Sequence, residues 1–179
     1  MRKFYFLFSF LFVSIQLFSQ KEANNWYFGQ KAGITFNSGA PVALTNGQLQ
    51  TLEGCSSISD ASGNLLFYTD GIKVWNRNHV VMTNGTNLKG DPSSSQSGII
   101  VPKPGNPNVY YIFTVDMQGG LALFAGGDAD GVSNGFMYSE VDMTLNGGLG
   151  DIVVARKNVA LKKPTTEGLC AVKHSNGTD

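Results

Sequence analysis

Residues 53–75, EGCSSISDASGNLLFYTDGIKVW, constrain the fold more than any other part of the chain. A short run ends at the turn sequence Asp60-Ala61-Ser62-Gly63-Asn64. An aromatic-rich run from Leu65 to Thr69 follows, then the pair Asp70-Gly71 and a third run ending at Trp75. Asp at the head of a turn accepts backbone N–H groups, and Gly supplies the positive φ that the turn needs. The stretch therefore reads as three antiparallel strands in a meander. In its middle strand Leu65, Phe67 and Thr69 alternate with Leu66, Tyr68 and Asp70, so both faces are largely apolar. A strand covered on both faces belongs to a sheet packed between two neighbours.

The same plan returns downstream. Gly54 and Gly98 are 44 residues apart, and so are Asn64 and Asn108. A third round opens at Glu167-Gly168, as the first does at Glu53-Gly54, and Gly168 and Gly177 repeat the nine-residue spacing of Gly54 and Gly63. A period of about 40–50 residues is that of a β-propeller blade. The expectation is an all-β chain, a partial β-propeller of about three blades, each a four-stranded antiparallel sheet. Strands are expected near 55–59, 65–69, 72–76, 80–82, 99–102, 109–115, 121–125, 136–142 and 168–173. A hairpin over 26–28 and 34–36, with a short strand at 42–44, leads into the first blade. Because the third round stops inside a blade, residues 20–179 read as an incomplete propeller domain, the N-terminal fragment of a larger one. Trp26, Tyr27 and Phe28 are then expected to be exposed or loosely packed, and the segment to self-associate when made alone.

The first twenty residues open with Arg2 and Lys3 and continue as a nearly unbroken apolar run of 15 residues from Phe4 to Phe18. A helix needs roughly 20 such residues to cross a bilayer. Ser19 offers a small residue at a cleavage point, so residues 1–19 read as a secretory signal peptide, with no transmembrane segment left after cleavage. The exported part then carries 11 basic residues against 13 acidic ones. No Lys or Arg stripe matches a phosphate backbone, which argues against nucleic-acid binding. Cys55 and Cys170 fall at nearly equivalent repeat positions, which different blades hold apart, so two small buried thiols are favoured over a disulfide.

Candidate chemistry is sparse. Glu53 and Glu167 stand beside inner strands, where paired carboxylates about 5–10 Å apart can act on a glycosidic bond; acceptance of backbone hydrogen bonds at a strand entry is the simpler role. Asp128, Asp130 and Asn134 resemble the start of a calcium loop, but Val132 and Ser139 stand where an EF-hand needs further oxygen ligands. Calcium is the one cofactor the chain suggests. The turn SDASGNLLF fails the spacing of a sialidase-type Asp-box. His79 and His174, the two histidines, sit in or near turns without the clustering that zinc requires.

The strings NNWYFG, EGCSSISDASGNLLFYTDGIKVWN, QSGIIVPKPGNPNVYYIFTVD, YSEVDMTLNGGLGD and TEGLCAVKHSNGTD, in that order, resemble the N-terminal propeller-like region of large secreted Bacteroidota proteins. Those proteins end in a gliding-motility-associated, type IX secretion sorting domain. The resemblance spans about residues 24–179 and implies export to the cell surface or beyond, with no catalytic residues carried over. The expected function is a non-catalytic, adhesin-like binding or scaffolding module whose partner is a protein or glycan. The alternative is a glycan-active hydrolase or lyase using Glu53 and Glu167.

Overall fold

A computed structural model describes residues 21–117, 134–172 and 174. Short, β-branched and aromatic runs punctuated by Asn-Gly and Asp-Gly pairs favour strands and tight turns, and three antiparallel sheets result. The first joins β1 (Asn25–Phe28), β2 (Ala32–Thr35) and β3 (Val42–Leu44) as a meander. The second joins β4 (Ser56–Ser59), β5 (Leu65–Thr69) and β6 (Val74–Asn76) in the same order. The third runs through β7 (Gly98–Pro102), β8 (Val109–Val115) and β9 (Phe136–Asp142). On the far edge of β9 lie both β10 (Asp151–Ile152) and β11 (Val159–Lys162).

The middle sheet is covered on both faces, as its doubly apolar strand implies. Toward β7–β10 it contributes Ile58, Phe67 and Val74 to a core shared with Ile100, Ile112, Val141 and Ile152. Toward β1–β3 it contributes Tyr68 and Trp75, which meet Tyr27 and Leu49. A bulge departs from strict alternation: Ile58 pairs with Phe67 but Ser59 pairs with Leu65, leaving Leu66 as the extra residue. Leu66 and Phe67 therefore both join the first core, while Leu65 and Tyr68 pack toward β1–β3. Phe67 and Tyr68 are fully buried, each burial stabilising by about 1.5–3 kcal/mol.

The opening strands of the three sheets lie side by side, tied by hydroxyl groups. Tyr27 N–H donates to Ser57 Oγ, whose hydroxyl donates to Asn25 O at 2.7 Å, and Ile100 N–H donates to Ser56 Oγ. Asn25 Nδ2 donates to Ser59 Oγ and to Gly63 O. Serine at 56, 57 and 59 thus serves cross-sheet bonding more than strand propensity.

Several expectations are corrected. The leading hairpin and its short strand form a sheet of their own; the second and third sheets open at Ser56 and Gly98, as the rounds begun by Gly54 and Gly98 predict, whereas among the described residues no sheet opens at Gly168. Among the described residues they hold three, three and five strands, not four each. Val81 makes a single bridge to Trp75 instead of a fourth strand, because Val74 N–H and Met82 N–H are taken by a tight loop through Gly85 O and Val74 O. Residues 168–172 form no strand: no partner strand among the described residues meets them, and Val172 is 86% exposed. Tyr27, expected at a loose edge, is buried at 4% because it points into the inter-sheet cluster, whereas its neighbours Trp26 and Phe28 are exposed at 49% and 38%. The strand expected at 121–125 lies outside the described residues.

Candidate functional site

Turn carboxylates are the most regular chemical feature. Asp60 Oδ1 accepts the N–H groups of Ser62 and Asn64, both at 2.9 Å, and Asp60 Oδ2 accepts Asn64 Nδ2. Burial opposes charge on Asp60, but these bonds and Gly63 outweigh it and hold the carboxyl below its usual value. Asp70 Oδ1 accepts Ile72 N–H and Lys73 N–H at 2.8 and 2.7 Å, yet deeper burial wins there and pushes its carboxyl up. Asp91, Asp116, Asp142 and Asp151 likewise accept backbone N–H groups from Ser93, Met117, Thr144 and Asn84.

A glycine-lined crossing gathers the two glutamates around one loop. Ser97 passes so close to Gly54, Gly71 and Gly90 that a Cβ on any of them would lie within 2.4 Å of it. Gly54 N–H donates to Ser94 O, which places exposed Glu53 beside this loop. Glu167 Oε2 accepts both the N–H and the hydroxyl of Ser95, at 3.1 and 3.2 Å. Both glutamates therefore border residues 94–97, and Glu167 takes the backbone-accepting role. Cys55 is half-buried beside the same crossing, its thiol pushed up by burial and by Asp70 against a hydrogen bond at Gly29.

A second cluster joins the first two sheets. Tyr27 and Tyr68 stack with ring centroids 4.7 Å apart, and Tyr68 stacks on Trp75 at 5.5 Å. His79 lies at 5.5 Å from Tyr27 and 5.8 Å from Tyr68. Tyr27 donates to Asn46 Oδ1, so Asn46 Nδ2 is turned to His79 Nε2 at 2.8 Å, and His79 Nδ1 faces the Tyr68 hydroxyl at 3.2 Å. That arrangement assigns a neutral imidazole with its proton on Nδ1. Burial lowers the His79 pKa, and burial first of all pushes Tyr68 up to about 12. The cluster is a hydrogen-bonded joint rather than a proton-transfer site.

The other expected residues scatter. Asn134 is buried, and its N–H donates a short hydrogen bond to Asp116 Oδ2; Asp128 and Asp130 lie outside the described residues. Cys170 is exposed, correcting its expected burial, since the inner strand that was to cover it does not form; both thiols are free. His174 is exposed, far in sequence from His79. Among the described residues no three His, Cys, Asp or Glu side chains gather as metal ligands, and no helix is long and apolar enough to cross a membrane. The Asn46–His79 joint escaped the sequence reading because its members are 33 residues apart and belong to different sheets' loops. No protein-family model matches the chain, and neither a curated protein nor a solved structure matches it.

Proposed function

We propose that the chain is an exported, non-catalytic binding and scaffolding module built from propeller-type blades and acting at the cell surface or beyond. The observation that carries the reading is the use of carboxylates: Asp60, Asp70, Asp91, Asp116, Asp142 and Asp151 hold backbone N–H groups, so they stiffen turns within the sheets as well as the loop that joins the second sheet to the third. Rigid sheets with fixed loops suit presentation of a surface. The side-by-side opening strands and the 44-residue spacing support the blade assignment, and the apolar N-terminal run supports export. The resemblance to secreted Bacteroidota proteins adds type IX secretion and gliding motility as the setting, with a surface protein or glycan as partner.

Glu53 and Glu167 beside one loop favour a second reading, a glycan-active hydrolase or lyase. One experiment separates the two. The exported chain is incubated with a panel of surface polysaccharides and outer-membrane proteins, scoring retention and chain length. Retention without shortening is expected. Polysaccharide cleavage that disappears in Glu53→Gln would overturn the scaffold reading. N-terminal sequencing of the exported chain is expected to begin at Gln20.

A further inference from the structure

An asparagine side chain is most open to attack by its own backbone where glycine follows, because glycine puts no Cβ beside the attacking nitrogen. The chain carries five such pairs, at Asn46, Asn84, Asn134, Asn146 and Asn176, and Asn176 lies outside the described residues. Asn46, Asn84 and Asn134 are held. Asn46 has its oxygen on the Tyr27 hydroxyl at 3.1 Å and its nitrogen against His79 Nε2 at 2.8 Å. Asn84 Nδ2 donates to Asp151 Oδ2 at 2.8 Å, and the N–H that would attack it, that of Gly85, already donates to Met82 O at 2.9 Å. Asn134 is buried, with its own N–H held by Asp116 Oδ2.

Asn146 differs on each count. Its side chain is exposed and makes no hydrogen bond among the described residues. It stands in the turn from β9 to β10 at φ +51°, a left-handed conformation that strains a residue with a Cβ. Gly147 follows at φ +65°, with nothing within 4 Å of where a Cβ would stand. The Gly147 N–H donates to no carbonyl among the described residues, and the Asn146 carbonyl is restrained by one bond, from Leu149 N–H at 3.2 Å.

We propose that Asn146-Gly147 is a site of spontaneous deamidation through a cyclic imide, and that the fold confines the reaction to it among the described pairs. Gly147 N, losing its proton to hydroxide, attacks Asn146 Cγ. The new N–Cγ bond closes the imide as the Cγ–Nδ2 bond breaks, and Nδ2 takes a proton from water and leaves as ammonia. Water then opens the imide at either carbonyl. Opening at Cγ leaves aspartate; opening at the main-chain carbonyl leaves isoaspartate, whose backbone runs through the former side chain. Either product adds a negative charge, and isoaspartate also lengthens the turn that presents Gly148 O to Arg77 Nη2 at 2.6 Å. The inference concerns this turn alone and stands whichever partner the chain binds.

The test is incubation of the exported chain in heavy-oxygen water at mildly alkaline pH, with near-UV circular dichroism to confirm folding and peptide mapping by mass spectrometry to follow each site. Asn146 is expected to become a heavy-oxygen carboxylate first. Its rate should exceed those of Asn46 and Asn84 by about tenfold or more, the factor that releasing two ordinary hydrogen bonds imposes. In guanidinium the rates at Asn46, Asn84, Asn134 and Asn146 should converge, because the fold and not the dipeptide sets their order. Aspartate and isoaspartate peptides, which separate on chromatography, should both appear at position 146. Reaction at Asn146 no faster than at any one of the other three in the folded chain, an order that persists in guanidinium, or aspartate without isoaspartate would each overturn the proposal.

Discussion

At the scale of residues, hydrogen-bond direction decides what a titratable group does. His79 Nε2 faces the amide nitrogen of Asn46, whose oxygen is held by Tyr27. Protonating Nε2 sets two donors against each other or forces the amide to turn and release Tyr27. Burial already lowers the His79 pKa, so below about pH 6.5 the unfolded chain binds a proton that the folded chain refuses. Stability from this group is therefore present above that pH and is lost as pH falls through it toward the folded value. Urea midpoints between pH 7.5 and 5 should fall for the native chain and flatten in His79→Gln; an unchanged slope in the variant would remove His79 from this role. Asp60 acts in a lower window. Its folded pKa is depressed, so its contribution persists above about pH 4 and fades below it. At pH 7, Asp60→Ala should cost about 1–2 kcal/mol, toward the low end for bonds to a charged acceptor because the turn is partly exposed, as read from urea unfolding.

At the scale of elements, the glycine-lined crossing is the tightest constraint on how the second and third sheets join. Gly71 has φ +85°, and an added Cβ would sit 2.1 Å from Ser97 Oγ and 2.8 Å from Ser97 backbone. Gly71→Ala combines left-handed strain with a clash that backbone cannot relieve, so a loss above about 3 kcal/mol is expected. Gly105, at φ +73° with nothing within 4 Å, isolates the strain alone; Gly105→Ala should cost about 1 kcal/mol. Equal losses in chemical denaturation would mean that crowding by Ser97 does not matter. The Asp70-Gly71 turn itself was legible, as were the strands on either side, because local turn chemistry and period-two patterning are written in consecutive residues. The bulge at Leu66 was not, since it depends on which residue of β4 each β5 residue meets. Residues 168–172 repeat the apolar pattern of an inner strand without forming one, because pattern specifies a face and pairing requires a neighbour. For the candidate site, the glutamates were found by repetition of Glu-Gly, whereas their meeting at residues 94–97 rests on a loop that carries no periodic signal.

At the scale of the whole molecule, the middle sheet couples two interfaces of unequal size. Toward β7–β10 the shared core includes Ile58, Phe67, Ile100, Ile112, Val141 and Ile152, whereas toward β1–β3 it centres on Tyr27, Leu49, Tyr68 and Trp75. The first sheet is thus held by the smaller core and by the Ser57 and Asn25 bonds, and local opening follows the least buried apolar area. Amide exchange is expected to be faster in β1–β3 than in β5 and β8. Tyr68 and Ile112 separate the two interfaces, because both are fully buried and each faces one neighbour. Tyr68→Ala removes the ring that stacks on both Tyr27 and Trp75 and should accelerate exchange in β1–β3 by about tenfold or more while leaving β8 and β9 protected, since only the small core loses its centre. Ile112→Ala strikes the larger core and should cost about 2–5 kcal/mol, raising exchange across all three sheets together. If Tyr68→Ala instead deprotected β8 and β9 as much as β1, the sheets would open as one cooperative unit, and the smaller interface would be as binding on the fold as the larger.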